Sequence, residues 1–246
     1  MLPIREFNAI IILYNQETEE KNVDINAKKL IEIKINKVIS SLEKNNMSGI
    51  YCETRQAALE QVKNLLNDGD TVSMGGTQTA KECGIDTLLK NGNYNFLDRA
   101  KEGITPEEID RIYRETFSAD AYITSTNAIT AQGELYNVDG NSNRVSAMLF
   151  GPKKVIVVAG YNKIVENIDQ ASIRVKSKAA PANCLRLSCE TPCSVTGSCI
   201  SLQKNPSRIC DGCASENRIC SNYTIMSRQR RPGRIFVILV GEELGY

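Results

Sequence analysis

Apolar positions along the chain follow two spacings, and their alternation predicts an α/β fold. Short unbroken apolar runs are typical of buried strands, and the clearest of them covers residues 154–159. Between such runs, apolar residues recur every three or four positions, as in 27–44, which is typical of a helix that buries one face. We therefore expect a mainly parallel sheet flanked by helices on both faces.

Capping residues and turns divide the chain into individual elements. Thr54 and Thr105 are predicted helix N-caps, and Pro106 with two acids makes the second helix start the stronger one. Predicted strands cover 49–51, 71–74, 93–97, 119–124, 145–150, 154–159 and 234–240; predicted helices cover 27–44, 54–66, a stretch from about 77, 86–90, 105–117 and 164–179. Residues 1–26 are assigned to an N-terminal leader, and 27–246 to one domain.

The segment 183–231 interrupts this rhythm just before the last strand. It has few periodic apolar residues and is rich in Cys, Ser, Asn and Arg, so we interpret it as an insertion inside the domain. Seven of the nine cysteines fall in this region: Cys184, Cys189, Cys193, Cys199, Cys210, Cys213 and Cys220.

Composition narrows the classes of function. The 30 basic and 29 acidic residues leave a net charge of +1, which gives no reason to expect a nucleic acid or a membrane surface as partner. No apolar run reaches the 18 or so residues of a membrane-spanning helix, and the start lacks the cleavage site of a signal peptide. We expect a cytoplasmic protein whose thiols stay reduced.

The chain contains no histidine. This excludes Ser-His-Asp and Cys-His catalysis, and also zinc sites with histidine ligands. Any proton transfer would fall to carboxylates, Lys, Tyr, Cys or a bound water.

Two polar stretches follow predicted strands and are candidate ligand sites. Residues 73–79 pass from strand to helix through two glycines, which let the backbone approach an anion, although such a loop can also be a simple tight turn. Residues 125–144 offer Asp139 and Glu134 as bases and Arg144 as an anion clamp. The alternative for this second stretch is a β-hairpin with its turn at 138–141.

Three stretches resemble the lactate-utilisation (LUD) domain family, nearest its C-type members. They are TVSMGGTQTAKECGI, STNAITAQGELYNVDGNSNRVSAMLFGPKKVIVVAGYNKIV and RVKSKAAPANCLRL. With the closing RIFVILVGEELGY, the resemblance runs from about residue 27 to residue 246. The family is similar in fold to the ribose-5-phosphate isomerase, glucosamine-phosphate deaminase and CoA-transferase group. In that group, the glycine loop holds the anionic part of the substrate, and an acid from the following strand region transfers protons.

This resemblance implies roles for particular residues. Asp139 and Arg144 would line the ligand pocket; if the protein is an enzyme, Asp139 or the alternative base Glu134 would be catalytic, with Arg144 as the clamp. The ligand would be bound by Gly75, Gly76, Thr77, Thr79, Thr126, Asn127, Asn143, Asn162 and Lys163. The implied ligand is a small anionic organic acid or phosphorylated compound. The resemblance leaves open whether a C-type protein is itself an enzyme.

The clustered cysteines predict a metal centre. A C-x2-C pair at Cys210 and Cys213 directs two thiolates at one ion, and seven cysteines within 37 residues are too many for an ordinary polar loop. Disulfides, buried reduced thiols and a redox-active thiol pair are the alternatives. Many LUD proteins carry a T-P-C-x3-G-x-C-x2-C-x-S-x2-R-I-C pattern, and by this resemblance the ligands would be Cys193, Cys210, Cys213 and Cys220, with Cys199 as a substitute for Cys210.

Thiolate ligands suit both a [4Fe–4S] cluster and Zn²⁺. We favour the cluster because the family keeps company with iron–sulfur partner subunits. The resulting hypothesis is a ligand-binding protein of organic-acid metabolism with a cysteine-ligated metal. The alternative is a non-catalytic accessory or electron-transfer subunit whose metal is redox-active or only structural. The oligomeric state is left open, and a homo-oligomer is among the options.

Overall fold

The computed structural model describes residues 24–204, 209 and 213–246. Ten helices lie in these residues: α1 Ile25–Lys44, α2 Arg55–Leu65, α3 Gln78–Glu82, α4 Ile85–Asn91, α5 Pro106–Glu115, α6 Asn143–Leu149, α7 Ile168–Arg174, α8 Ala180–Arg186, α9 Pro192–Thr196 and α10 Ser201–Lys204. Ten strands lie there too: β1 Ser48–Cys52, β2 Thr71–Met74, β3 Asn95–Leu97, β4 Ala121–Thr124, β5 Ala128–Thr130, β6 Leu135–Asp139, β7 Lys154–Gly160, β8 Ile164–Val165, β9 Asn222–Met226 and β10 Ile235–Val240. The leader, residues 1–26, lies outside the described residues except for its last three.

A parallel sheet of six strands forms the centre of the molecule. Its order is β1-β10-β7-β4-β2-β3, and every pairing within it is parallel. The central strand β7 is buried from Val155 onward, as its unbroken apolar run predicts. One apolar cluster beneath helix α1 and another beneath α2 and α4 cover the two faces of the sheet. The predicted fold, a mainly parallel sheet flanked by helices, is confirmed.

A second sheet of four strands stands beside the first, in the order β8-β5-β6-β9. Strands β5 and β6 form an antiparallel hairpin, so the hairpin considered for 125–144 is present. Its turn lies at 131–134, one strand earlier than the 138–141 turn weighed from the sequence. Strand β9 comes from the cysteine-rich insertion and pairs with β6 along its whole length, which ties the insertion to the domain.

Three predicted elements differ from the structure. Residues 145–150 form most of helix α6 instead of a strand, with Phe150 83% exposed. A short, mainly apolar run does not distinguish a strand from a short buried helix, and here Val145, Ala147 and Met148 bury a helical face. Helix α1 buries Ile35, Val38 and Leu42, while Leu30 and Ile33, which share the helical spacing, are exposed. The predicted helix 164–179 begins instead as strand β8, and α7 starts only after Asn167.

No helix in the described part of the chain is long and apolar enough to cross a membrane.

Candidate functional site

The glycine loop lies at the carboxyl edge of the parallel sheet, directly after β2. The Gly75 amide donates to the carbonyl of Ile123 on β4. A Cβ atom at Gly75 would lie 2.7 Å from the Tyr122 hydroxyl and 3.0 Å from the Thr124 hydroxyl. A larger residue at Gly75 would therefore collide with β4, which fits the tight turn considered from the sequence; the approach of an anion stays a prediction.

The guanidinium group of Arg99 lies at the opening of the glycine loop. A Cβ atom at Gly76 would lie 2.7 Å from Nη2 of Arg99, whose Nη1 donates to the Tyr113 hydroxyl at 2.9 Å. Thr77 closes the loop by accepting a hydrogen bond from the Ala80 amide, and so caps α3. Because α3 has only five residues, its N-terminus alone is a weak anion site, and the charges around it matter more.

Lys163 is buried beneath the glycine loop, with 3% of its surface exposed. Its Nζ donates to the hydroxyls of Thr79, at 2.8 Å, and Ser125, at 2.9 Å. Burial, followed by the charges of Arg174 and Arg144, lowers the pKa of Lys163 from 10.5 to about 7. Thr79 and Lys163, which the sequence placed in one ligand site, are thus in direct contact.

Arg174 is a second buried cation, with 8% of its surface exposed. Its Nε donates to the carbonyl of Asn162 and its Nη1 to the carbonyl of Asn127. Its Nη2 is buried without a hydrogen-bond partner in the described structure. Burial lowers the pKa of Arg174 to about 10. Within the described residues, neither Lys163 nor Arg174 has a carboxylate within 4.0 Å.

Arg144 and Asp139 bind each other and the surrounding backbone. The Arg144 Nε lies 3.4 Å from Asp139 Oδ2, and its Nη atoms donate to the side-chain oxygens of Asn137 and Asn127. The other Asp139 oxygen accepts from two amides of the loop that precedes α6, at 3.1 and 2.9 Å. This network holds the end of β6 against β4, and the roles of base and clamp stay predictions.

Four predicted residues remain: Asn162, Asn143, Thr126 and Glu134. Asn162 lies beside Lys163 and binds the backbone of Leu244, while Asn143 opens helix α6. Thr126 donates to the carbonyls of both hairpin strands, so it fixes the hairpin. Glu134 accepts from Thr130 in the hairpin turn, at the opposite end of β6 from Asp139. Five residues of strand separate these acids by roughly 17 Å, so they do not share one site.

The insertion forms a second candidate site. A cavity of about 30 Å³ is lined by five cysteines: Cys184, Cys193, Cys199, Cys213 and Cys220. The sulfur atoms of Cys184 and Cys193 lie 3.7 Å apart. Burial, and then the neighbouring thiols, raise the pKa of Cys220 to about 12, so the Cys220 thiol keeps its proton at neutral pH unless a cation replaces it. Cys189 lies outside this cavity, and Cys210 lies outside the described residues.

Side chains and backbone hold this cavity in shape. Arg218 donates to the carbonyls of both Cys220 and Cys213, at 2.8 and 3.1 Å. The Cys199 amide donates to the carbonyl of Lys176. In the part of the chain that the structure describes, no three Cys, Asp or Glu side chains are yet close enough together to enclose an ion. Five cysteines nevertheless line this one cavity.

The LUD domain matches residues 35–240, which is most of the chain. The chain belongs to the LUD domain family. It is thus related to lactate utilisation. Among solved structures, it is similar to a DUF162 family protein from Deinococcus radiodurans, with 13% identity over 87% of this chain and 98% of that one, at a TM-score of 0.41. It is also similar to eIF2B delta from Chaetomium thermophilum, with 20% identity over 57% and 54% of the two chains, at a TM-score of 0.31. No curated protein matches the chain.

In this LUD domain, one helical segment separates the two candidate sites. Helix α7 ends at Arg174, which faces the glycine-loop side, and a π-helical turn, Val175–Ala179, follows at once. Val175 and Lys176 line the cysteine cavity. π-Helical turns are frequent at functional sites, because the extra residue re-aims the side chains around it. The two sites are therefore neighbours, although they are distant in the sequence.

Sequence reasoning missed two residues of the LUD domain that matter most here. Arg174 lay inside a predicted helix, where a single arginine is normally a solvated charge. Cys184 was counted in the cluster but not among the ligands, since it precedes the family's cysteine pattern. Ala180 lies four residues before Cys184 on helix α8, is buried as well, and also lines the cavity.

Proposed function

We propose that this LUD domain binds a small anionic organic acid or phosphorylated compound at the glycine loop, and that its insertion holds a cysteine-ligated metal. The protein would serve organic-acid metabolism. The bound anion would supply the negative charge for Lys163 and Arg174, which have no carboxylate within 4.0 Å among the described residues.

The observation that carries this proposal is the pair of buried cations without a carboxylate. Burying one unpaired charge costs several kcal/mol, and two like charges side by side cost more. Arg174 also keeps one N–H group free, although buried donors are almost always satisfied. An anion at this place would accept from Arg174 Nη2 and Lys163 Nζ together.

Thermal unfolding with added L-lactate, pyruvate or inorganic phosphate tests the anion site. A ligand at a hundred times its dissociation constant stabilises a protein by about 2.7 kcal/mol. We expect at least one of the three to raise the unfolding midpoint, and Arg174→Met to abolish the rise. Arg111→Met, on the exposed face of α5, is the matched control. If none of the anions stabilises the protein, or if Arg174→Met responds like the control, the anion site is refuted.

Five cysteines around one cavity support the metal part of the proposal. Cys193, Cys213 and Cys220 would be ligands, and Cys199, Cys210 and Cys184 compete for the fourth position. The distance of 3.7 Å between Cys184 and Cys193 is close to the roughly 3.8 Å between two thiolates on one tetrahedral zinc. This favours including Cys184, whichever metal is bound.

Metal analysis and a visible spectrum of protein prepared without oxygen would identify the metal. A [4Fe–4S] cluster gives iron, sulfide and a band that bleaches on reduction, whereas zinc gives a colourless protein. Cys220→Ser should lower the metal content, and Cys189→Ser should not, since Cys189 lies outside the cavity. Protein that contains neither metal would refute this part.

A second candidate function is that of a non-catalytic electron-transfer or accessory subunit. Three apolar side chains beside the cysteine cavity are exposed, Leu185 by 60%, Leu187 by 47% and Val195 by 86%, and such a patch favours contact with a partner subunit. Electron transfer requires a redox-active metal, whereas an accessory subunit could hold a purely structural one. A colourless zinc protein would exclude electron transfer.

A further inference from the structure

Lys163 differs from an ordinary buried lysine in what surrounds its amine. Both hydrogen-bond partners found for Nζ are hydroxyls, Thr79 Oγ1 and Ser125 Oγ. A lysine that serves only to hold a fold is usually paired with a carboxylate, because an unpaired buried charge is costly. A hydroxyl can accept from an ammonium or donate to a neutral amine, so these partners suit both protonation states.

Three structural elements meet at this amine. Thr79 belongs to α3 behind the glycine loop, Ser125 follows β4, and Lys163 follows β7. All lie at the carboxyl edge of the sheet, where open α/β folds bind their ligands. Arg174, with its unpaired N–H group, stands next to them and could hold the charged end of a ligand.

We propose that Lys163 is a nucleophilic amine that forms an imine with an anionic carbonyl compound, such as a 2-oxo acid, whose carboxylate binds Arg174. This inference deepens the proposed function and rests on the anion site. The neutral amine attacks the carbonyl carbon, a C–N bond forms, and the carbonyl oxygen takes up a proton to give a carbinolamine. The hydroxyl group of the carbinolamine then leaves as water together with the remaining proton of the nitrogen, and the C=N bond forms. No oxidant or reductant is needed.

The segment after β10 covers the amine. A Cβ atom at Gly245 would lie 3.3 Å from Lys163 Nζ and 2.6 Å from Thr79 Oγ1. Asn162 binds the backbone of Leu244 and Gly245, and Glu82 accepts from the Gly245 amide at 2.7 Å. This cover keeps bulk water from the amine, which protects an imine from hydrolysis.

The charges around Lys163 favour its neutral form. Burial lowers the pKa of Lys163 most, followed by the charges of Arg174 on α7 and Arg144 on α6. Glu82 and Cys83 at α3 raise it. The net effect is a pKa of about 7, so a large share of the amine is free at neutral pH.

Reductive trapping tests this inference on the full chain. The protein is incubated with glyoxylate or pyruvate and sodium cyanoborohydride, and the modified residue is located by mass spectrometry of peptides. We expect one adduct, on Lys163, and its loss in Lys163→Arg. Lys81→Arg is the matched control, because Lys81 is an exposed lysine on the same α3.

The pH dependence of trapping does not require a variant. At saturating carbonyl compound, adduct formation on Lys163 should reach its plateau well below the 10.5 of an ordinary lysine. An adduct spread over surface lysines, or one that survives Lys163→Arg, overturns the inference. If anions stabilise the protein but no adduct forms on Lys163, the imine is refuted and the anion site stands. If neither occurs, both are refuted.

Discussion

Lys163 and Arg174 are both buried at the carboxyl edge of the sheet, and after burial itself the charge of Arg174 contributes most to lowering the pKa of Lys163. Arg174 is positioned by the carbonyl of Asn162, the residue that precedes Lys163. Two cations placed so close together repel each other, and the fold must compensate for this. We propose that a bound anion compensates for this repulsion.

The affinity for an anion should depend on pH through Lys163. The protonated lysine binds an anion better, and its pKa in the free protein is about 7. Affinity should therefore be highest below pH 7 and fall as the pH rises above it, by up to about tenfold per unit until the bound-state pKa is reached. Isothermal titration across pH 6 to 9 measures this. In Lys163→Met the affinity should be lower and independent of pH in this range; an unchanged slope would contradict the assignment.

Gly75→Ala should destabilise the protein and remove ligand binding. The added methyl group would lie 2.7 Å from the hydroxyl of Tyr122, which is 3% exposed, so the buried ring would have to shift. Such overpacking costs about 1–3 kcal/mol. Chemical denaturation measures the loss, with Gly140→Ala as control, since a Cβ there has only contacts of 3.5 Å or more. Equal stability of the two variants would argue against a tight loop.

Arg144→Met should cost far more stability than removal of an exposed arginine. It would leave Asp139 buried without its partner, along with the side-chain oxygens of Asn127 and Asn137. Breaking a buried ion pair costs about 3–5 kcal/mol. Arg114→Met, which breaks an exposed pair with Asp110 on α5, should cost about 0.5 kcal/mol. Urea unfolding of both variants measures this difference. A much larger loss of stability in Arg144→Met indicates a mainly structural role, whereas a loss as small as that of Arg114→Met would leave Arg144 free to bind a ligand.

Arg218→Met should weaken metal binding without affecting the anion site. Arg218 fixes the carbonyls of Cys213 and Cys220, and loss of such supporting contacts typically lowers metal affinity by about 10–100-fold. Metal content after dialysis against a chelator measures this, with Arg186→Met as an exposed control. Stabilisation by anions should persist in both variants. Full metal retention in Arg218→Met would remove the supporting role.

The strands of the parallel sheet were the most predictable part of the structure, for a physical reason. Strand β7 is buried on both faces, so its residues must all be apolar, and the run is unmistakable. Helix α5 was equally clear, because Thr105 and Glu108 form both bonds of a capping box. The 145–150 segment failed because its apolar run fits either a strand or a short helix, and only the packing of Val145 and Met148 decides between them.

Only the part of the candidate site around the glycine loop could be predicted from the sequence. Thr79 and Lys163 are in direct contact, and their role in ligand binding stays a prediction. Arg174 could not be found from the sequence, because its role depends on burial and on the absence of a nearby acid. Both properties arise from tertiary packing, which a single sequence does not reveal. The same holds for Cys184, whose position beside Cys193 depends on how α8 and α9 pack.

The central claim is that an anion binds between Lys163 and Arg174. A crystal structure of the protein with the most stabilising of L-lactate, pyruvate and phosphate tests it most directly. We predict an anion with oxygen atoms at roughly 2.7–3.2 Å from both Arg174 Nη2 and Lys163 Nζ. A ligand bound elsewhere, with Arg174 Nη2 still lacking a partner, would contradict the account.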